Sequence, residues 1–229
     1  MNNQNAEQIA NDSPGLTRPP EVSPNNPCPF LRALVAGGYV GGHIDPLSTI
    51  SDTIARAGGK TNGEGNLSRR PVYLIGLIAN GLSLTHLWRN AHEGIQLDGL
   101  RDGPLDKHGA GSRILDAFGH IDEAELGRLD TFASDKTDAA TGRVERGLDA
   151  GQLRTMMDAN FARAAGSRRR IDRALMNGEW PVLLKVMGKN AGPDRYLSVD
   201  ELRVLFSERR LPGRICERID PQLNAVSAT

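Results

Sequence analysis

The chain has 229 residues with 28 Lys+Arg against 28 Asp+Glu, so its formal net charge is zero and no global field draws it to nucleic acid or to a membrane. Aromatic residues are only 4%, so a core has to be built from Leu, Ile, Val, Ala and Met. Two cysteines far apart in sequence exclude a disulfide framework.

Residues 1–25 are polar, rich in Asn and Pro, and lack both a basic n-region and an apolar h-region. They are expected to be a disordered leader without a secretory signal, which makes the cytoplasm the expected location. A helical domain is expected over 26–215, followed by a tail over 216–229 that carries Cys216 as a packed spectator or a free surface thiol.

Phe30, Leu31, Leu34 and Val35 recur at helical spacing and predict a helix ending at Gly37-Gly38. Asp45-Pro46 predicts a second helix, carrying Leu47, Ile50 and Ile54 and stopped by Gly58-Gly59. Val72 to Trp88 reads as one long, mostly buried helix, too impure for a membrane span. The Gly- and Asp-rich stretch "EGIQLDGLRDGPLDKHGAG" is a connection of the kind that often carries sites. Asp122 is a plausible cap for "DEAELGRLDTFAS", and "DAGQLRTMMDANFARAAG", "EWPVLLKVMG" and "SVDELRVLFSERRLP" complete the helical set. The local excess of arginine in "RAAGSRRRIDRALM" reads as a solvated helix face or as a basic partner site. No segment shows sustained period-two alternation, so the expected class is all-α.

Cys28 stands between Pro27 and Pro29, just ahead of the first helix. Pro29 suits the first turn of that helix. The unpaired N–H groups there favour thiolate over thiol, as a redox or metal-binding cysteine requires. The plainer reading is that Pro-Cys-Pro ends the leader. There is also an internal echo between "GLDAGQLRTMM" and "YLSVDELRVLF". Leu197 and Glu201 fall where an EF-hand calcium loop has its hydrophobic anchor and last carboxylate, with Asn190, Gly192 and Asp194 at earlier ligand positions. Arg195 stands where glycine is wanted, so capped helices with a hydrophobic staple explain the pattern more cheaply. The pattern does not single out a calcium or magnesium site.

Taken in order, "NPCPFLRALVAGGYV", "LDKHGAGSRILDAFG", "GLDAGQLR" and "YLSVDELRVLFSERRLP" resemble the haem-thiolate peroxygenase and chloroperoxidase family over about Asn26 to Pro212. The resemblance implies an all-α haem-thiolate peroxidase fold with haem b, Cys28 as proximal iron ligand and Pro29 in the ligand turn. Leu77 and Leu82, with Ile78 and Leu84, are candidates to line the haem slot, although core packing accounts for each of them equally well. The sequence departs from the family in two places. Ser112, Arg113 and Ile114 stand where an acidic tripeptide would hold a cation beside a propionate, so Arg113 is a candidate to pair with the propionate directly, and a divalent cation at the haem propionate stays open. Val182 and Lys189 fall at the two distal acid–base positions, which leaves Glu179 as the nearest carboxylate, with His108, His120 and His86 as further candidates.

The leading expectation is a peroxide-dependent oxidoreductase acting on a small organic molecule, with Glu179, His108 and Lys189 as catalytic candidates, no nucleic-acid or membrane partner, and a possible homodimer. A haem-thiolate enzyme of other chemistry, namely dehydration, rearrangement or N-oxidation, is the alternative. A non-haem helical protein with degenerate calcium-type loops is the second alternative.

Overall fold

Pro29 opens the first helix, α1 (Pro29–Ala36), where its missing N–H costs nothing. The computed structural model describes residues 20–59, 67–101, 103–107 and 110–221. The helix ends at the expected glycine pair: Gly38 takes φ +72°, and the Tyr39 N–H donates to the Leu34 carbonyl. The strand β1 (Ile44–Asp45) then leads into α2 (Leu47–Gly58), which buries Leu47, Ile50 and Ala57.

The single long helix expected over Val72–Trp88 is two shorter ones, α3 (Arg69–Leu77) and α4 (Leu84–His92). The break follows from local chemistry. Gly81 takes φ +159°, and the Ser83 hydroxyl accepts the His86 N–H and starts a new helix. Buried Asn90 of α4 donates to the Gly76 and Leu77 carbonyls, satisfying the end of α3 from outside. Nor is the segment mostly buried, since Leu74, Leu82, Leu84 and Trp88 are exposed. After α4, β2 (Ile95–Gln96) pairs antiparallel with β1. Asp122 caps α5 (Glu123–Gly127) as expected, accepting from the Ala124 and Glu125 N–H groups, and α6 (Leu129–Phe132) follows.

The all-α expectation is overturned by a second, four-stranded sheet. Its strands are β3 (Ser134–Thr137), β4 (Val144–Asp149), β5 (Lys189–Ala191) and β6 (Asp194–Ser198), in the order β3-β4-β6-β5 and antiparallel throughout. The protein is mixed α and β, 49% helix and 12% strand among the described residues, with this sheet curled into a half-barrel. The strands are short and polar ("SDKT", "KNA", "DRYLS"), too brief to print an alternation in the sequence.

The internal echo acquires a structural meaning here. Each copy is a β-hairpin that runs directly into a helix, β3–β4 into α7 (Ala150–Arg163) and β5–β6 into α10 (Val199–Arg203). The equivalent leucines, Leu148 and Leu197, are partners in the β4–β6 register. The following residues, Asp149 and Ser198, cap their helices; Asp149 forms a full capping box with Gln152. Asp149→Ala should therefore cost about 1–2 kcal/mol, read as a lower urea midpoint at unchanged slope; a wild-type midpoint would show that the box is redundant.

The core joins Leu148, Leu153, Met156 and Leu197 to Trp180 and Met187 of α9 (Trp180–Met187), preceded by α8 (Asp172–Met176). A π-helical turn over Val204–Glu208 buries Leu205 and Phe206. The last helix, α11 (Gly213–Ile219), runs through the domain boundary expected at 215, burying Ile215 and Ile219.

Candidate functional site

Cys28 is the N-cap of α1, in a turn held from several sides. The buried Asn26 accepts the Cys28 N–H on its side-chain oxygen at 3.0 Å, an Asx turn that sets the loop before the helix begins. One helical turn on, Arg32 is buried and donates to the Ser23 and Asn26 carbonyls at 3.3 Å and to the Gly119 carbonyl at 3.1 Å. Gly119 takes φ +77°, and a Cβ there would lie 2.7 Å from the Arg32 guanidinium, so glycine is required. Arg101 donates to the Pro24 and Asp116 carbonyls, and its N–H to Asn25. Three stretches of chain are thereby tied together around one thiol. None of Asn26, Arg32 and Arg101 was visible as a site residue in the sequence, because their role is to bind carbonyls contributed by remote loops.

Glu179 and Lys107 complete the surroundings of Cys28. Lys107 Nζ lies 3.2 Å from Glu179 Oε2, both side chains largely withdrawn from water, and both charges act on the Cys28 thiol. The expectation that the helix N-terminus makes Cys28 a ready thiolate is corrected. Burial pushes its pKa up; the Leu31 and Phe30 N–H groups pull down, Glu179 pushes up again, Lys107 pulls down, and the net displacement is upward. Lys107 shows the opposite balance: burial favours its neutral form, but Glu179, with help from Cys28 and Asp106, raises its pKa and keeps it protonated. Among the described residues, two buried polar atoms at the start of α9 lack a well-formed hydrogen bond, Glu179 Oε2 and Trp180 Nε1. Oε2 has its charge balanced by Lys107 without a well-directed hydrogen bond. The residue Cys28 is half-buried as a whole, but burial dominates the environment of its thiol.

The other sequence-predicted residues disperse. Pro29 is buried at the first position of α1. Leu77 is half-buried against the core, while Leu82 is exposed in the turn between α3 and α4. Arg113 is exposed with φ +61°. Val182 is half-buried against the core. His86 bonds the Ser83 hydroxyl that caps α4, and His120 is exposed beside Asp116. His108 lies outside the described residues. The basic stretch is partly consumed internally: Arg169 pairs with Asp172, Arg173 with Asp158, and Arg168 stacks 3.9 Å over the Phe161 ring.

Lys189 belongs to a different cluster altogether. Its ammonium lies 2.7 Å from Glu145, 3.5 Å from Asp138 and 3.8 Å from Glu201. Glu145 also accepts from the Tyr196 hydroxyl at 2.7 Å and from the Ser198 hydroxyl at 3.2 Å, and Arg214 takes Glu201. The calcium-loop reading fails on the same residues. Asn190 and Asp194 are strand residues of a hairpin, and Glu201 is committed to Arg214 and Lys189. The expectation of metal binding is corrected for the protein's own side chains. Among the described residues no group of three or more His, Cys, Asp or Glu could hold a metal ion.

A shallow cleft lined by Ser112, Ile114, Arg128 and Asn160 leaves about 10 Å³, room for about one water, and does not include Cys28. No protein-family profile, characterised protein or solved structure matches the chain.

Proposed function

We propose that the protein is a haem-thiolate oxidoreductase, with Cys28 as the axial ligand and Glu179 as the proton-transfer group. The observation that carries this reading is the Cys28 thiol at the N-cap of α1, in a turn tied down by Asn26, Arg32 and Arg101 and within charge range of the Lys107–Glu179 ion pair. Cys28 and Glu179 fit the group. Leu82, exposed in the turn between α3 and α4, does not fit a slot lining.

Bound at Cys28, haem would supply the iron for peroxide-dependent oxidation of a small organic molecule. The chain contributes the rest. Arg32, Asn26 and Arg101 hold the ligand turn, so the sulfur is fixed relative to α1. Burial keeps the thiol protonated, and Lys107 lowers the cost of losing that proton when sulfur becomes a ligand. Glu179, ion-paired with Lys107 at 3.2 Å, would be the carboxylate that takes and returns a proton.

Reconstitution with haem, followed by a carbon monoxide difference spectrum of the reduced protein, tests the ligation. A red-shifted thiolate signature is expected, and stoichiometric haem binding without it, or no binding, overturns the reading. Glu179→Gln should keep that signature and lower peroxide-driven turnover by about 10²–10⁴-fold. Undiminished turnover would pass the proton-transfer role to another residue.

A further inference from the structure

The α3–α4 hairpin wears its apolar residues on the outside. Leu74 is 62% exposed, Leu82 66%, Leu84 85% and Trp88 58%. On α3, Leu74 and Ile75 share a stripe with Pro71 and Ile78 at helical spacing, away from the buried Val72 and Gly76. On α4, Leu84 and Trp88 are four residues apart on one face, while the buried residue is the polar Asn90. A helix that buries an asparagine and exposes leucine and tryptophan has an outward apolar face without a partner inside the fold.

The charge pattern says which partner fits. From Gly65 to His92 the sequence contains Arg69, Arg70, Arg89, His86 and His92 and no Asp or Glu, in a chain whose acids otherwise equal its bases. Arg69 is paired with Asp52 of α2, and Arg70 and Arg89 are exposed. His92 stacks on Trp88 at 4.7 Å between ring centroids. Exposed leucine and tryptophan beside Arg70 and Arg89, with Glu64 and Glu93 only at the edges of the stretch, is the composition of a surface that lies in the headgroup region of an anionic bilayer.

We propose that the α3–α4 hairpin docks on an anionic lipid surface. Leu82, Leu84 and Trp88 enter the boundary between headgroups and acyl chains, and Arg70 and Arg89 take the lipid phosphates. The contact is peripheral, since among the described residues no helix is long and apolar enough to cross a membrane. A net charge of zero predicted no membrane partner, but that figure averages over a surface whose cations are locally segregated.

The test is flotation of the full chain with vesicles of phosphatidylcholine alone and with about one third phosphatidylglycerol. Binding is expected only to the anionic vesicles, and it should fall steeply on raising the salt from about 0.1 to 0.5 M. Trp88 gives a second readout, because the other tryptophan, Trp180, is only 1% exposed and already in an apolar setting. The emission should shift to the blue on anionic vesicles. Trp88→Glu with Leu84→Glu, both at exposed positions, should abolish flotation without changing the circular dichroism, and Arg70→Gln or Arg89→Gln should weaken it about fivefold each. Absence of wild-type flotation overturns the proposal whatever the variants do. Salt-insensitive binding to neutral vesicles overturns the headgroup assignment. A wild-type dimer that Trp88→Glu converts to monomer, without vesicle binding, would mean that a second copy covers this face. None of these outcomes depends on haem, so they stand apart from the function proposed for Cys28.

Discussion

Cys28→Ser is expected to remove the thiolate signature from the reduced carbon monoxide spectrum, to weaken haem retention and to abolish most oxidative turnover. Serine keeps the size and the N-cap geometry but presents a hydroxyl that stays protonated. The turn itself is secured by Asn26, Arg32 and Arg101 rather than by the sulfur, so the fold should survive. Exchanging a thiol for a hydroxyl at this buried position should cost about 1–3 kcal/mol of stability, measurable by urea unfolding of the haem-free protein. Cys216→Ser is the control. That thiol lies 3.6 Å from the Leu211 carbonyl and close to the Tyr39 hydroxyl, in a separate part of the core. It should leave spectrum and turnover intact. An unchanged spectrum and haem content in Cys28→Ser would remove the basis of the proposed function.

Lys189→Met is the second large effect, and it acts on the fold. The substitution leaves Asp138, Glu145 and Glu201 facing one another with Arg214 as the remaining cation. Removing one partner of a buried ion pair costs about 3–5 kcal/mol. Lys189 retains 18% side-chain exposure, so the low end, about 3 kcal/mol, is expected.

The same cluster sets a pH dependence. For Asp138 and Glu145 burial pushes the pKa up, but hydrogen bonds and the Lys189 charge outweigh it and hold both below the ordinary carboxylate range. Their stabilisation is present above the unfolded-state pKa of about 4 and is lost as pH falls through the lower folded-state values. Lys189 is raised: burial opposes its charge, but Glu145, Glu201 and Asp138 prevail. Its contribution holds through neutral pH and fades only as pH climbs past the ordinary lysine range toward the raised value. Glu201 works the other way, since burial raises its pKa despite Arg214 and Lys189, and its ionisation weakens the fold as pH rises toward neutral. Urea midpoints across the acid range should therefore fall with pH in the wild type and fall less in Glu145→Gln. A Lys189→Met protein as stable as wild type would show that the cluster does not hold the two hairpins together.

What the amino-acid sequence determined alone was the local punctuation. Pro29 and Gly37-Gly38 bounded α1, Pro46 and Gly58-Gly59 bounded α2, and the caps at Asp122 and Asp149 placed their helices, because each of these signals acts through groups only a few residues away. The rigid turn around Cys28 was legible for the same reason. The four-stranded sheet was not: its strands are short and polar, and the β4–β6 pairing that joins the two hairpins forms across the helices between them. The residues at Val72–Trp88 were recognised as helical and apolar, but which side they turn to solvent was decided by Asn90 and the cap at Ser83. In the site, Cys28 and Glu179 could each be named from the sequence. That Glu179 reaches Cys28 together with Lys107, and that Lys189 is committed to three carboxylates elsewhere, follows from which distant side chains the packing brings into charge range. Ionic and hydrogen-bond partners of that kind are selected by proximity in space, which only the tertiary structure supplies.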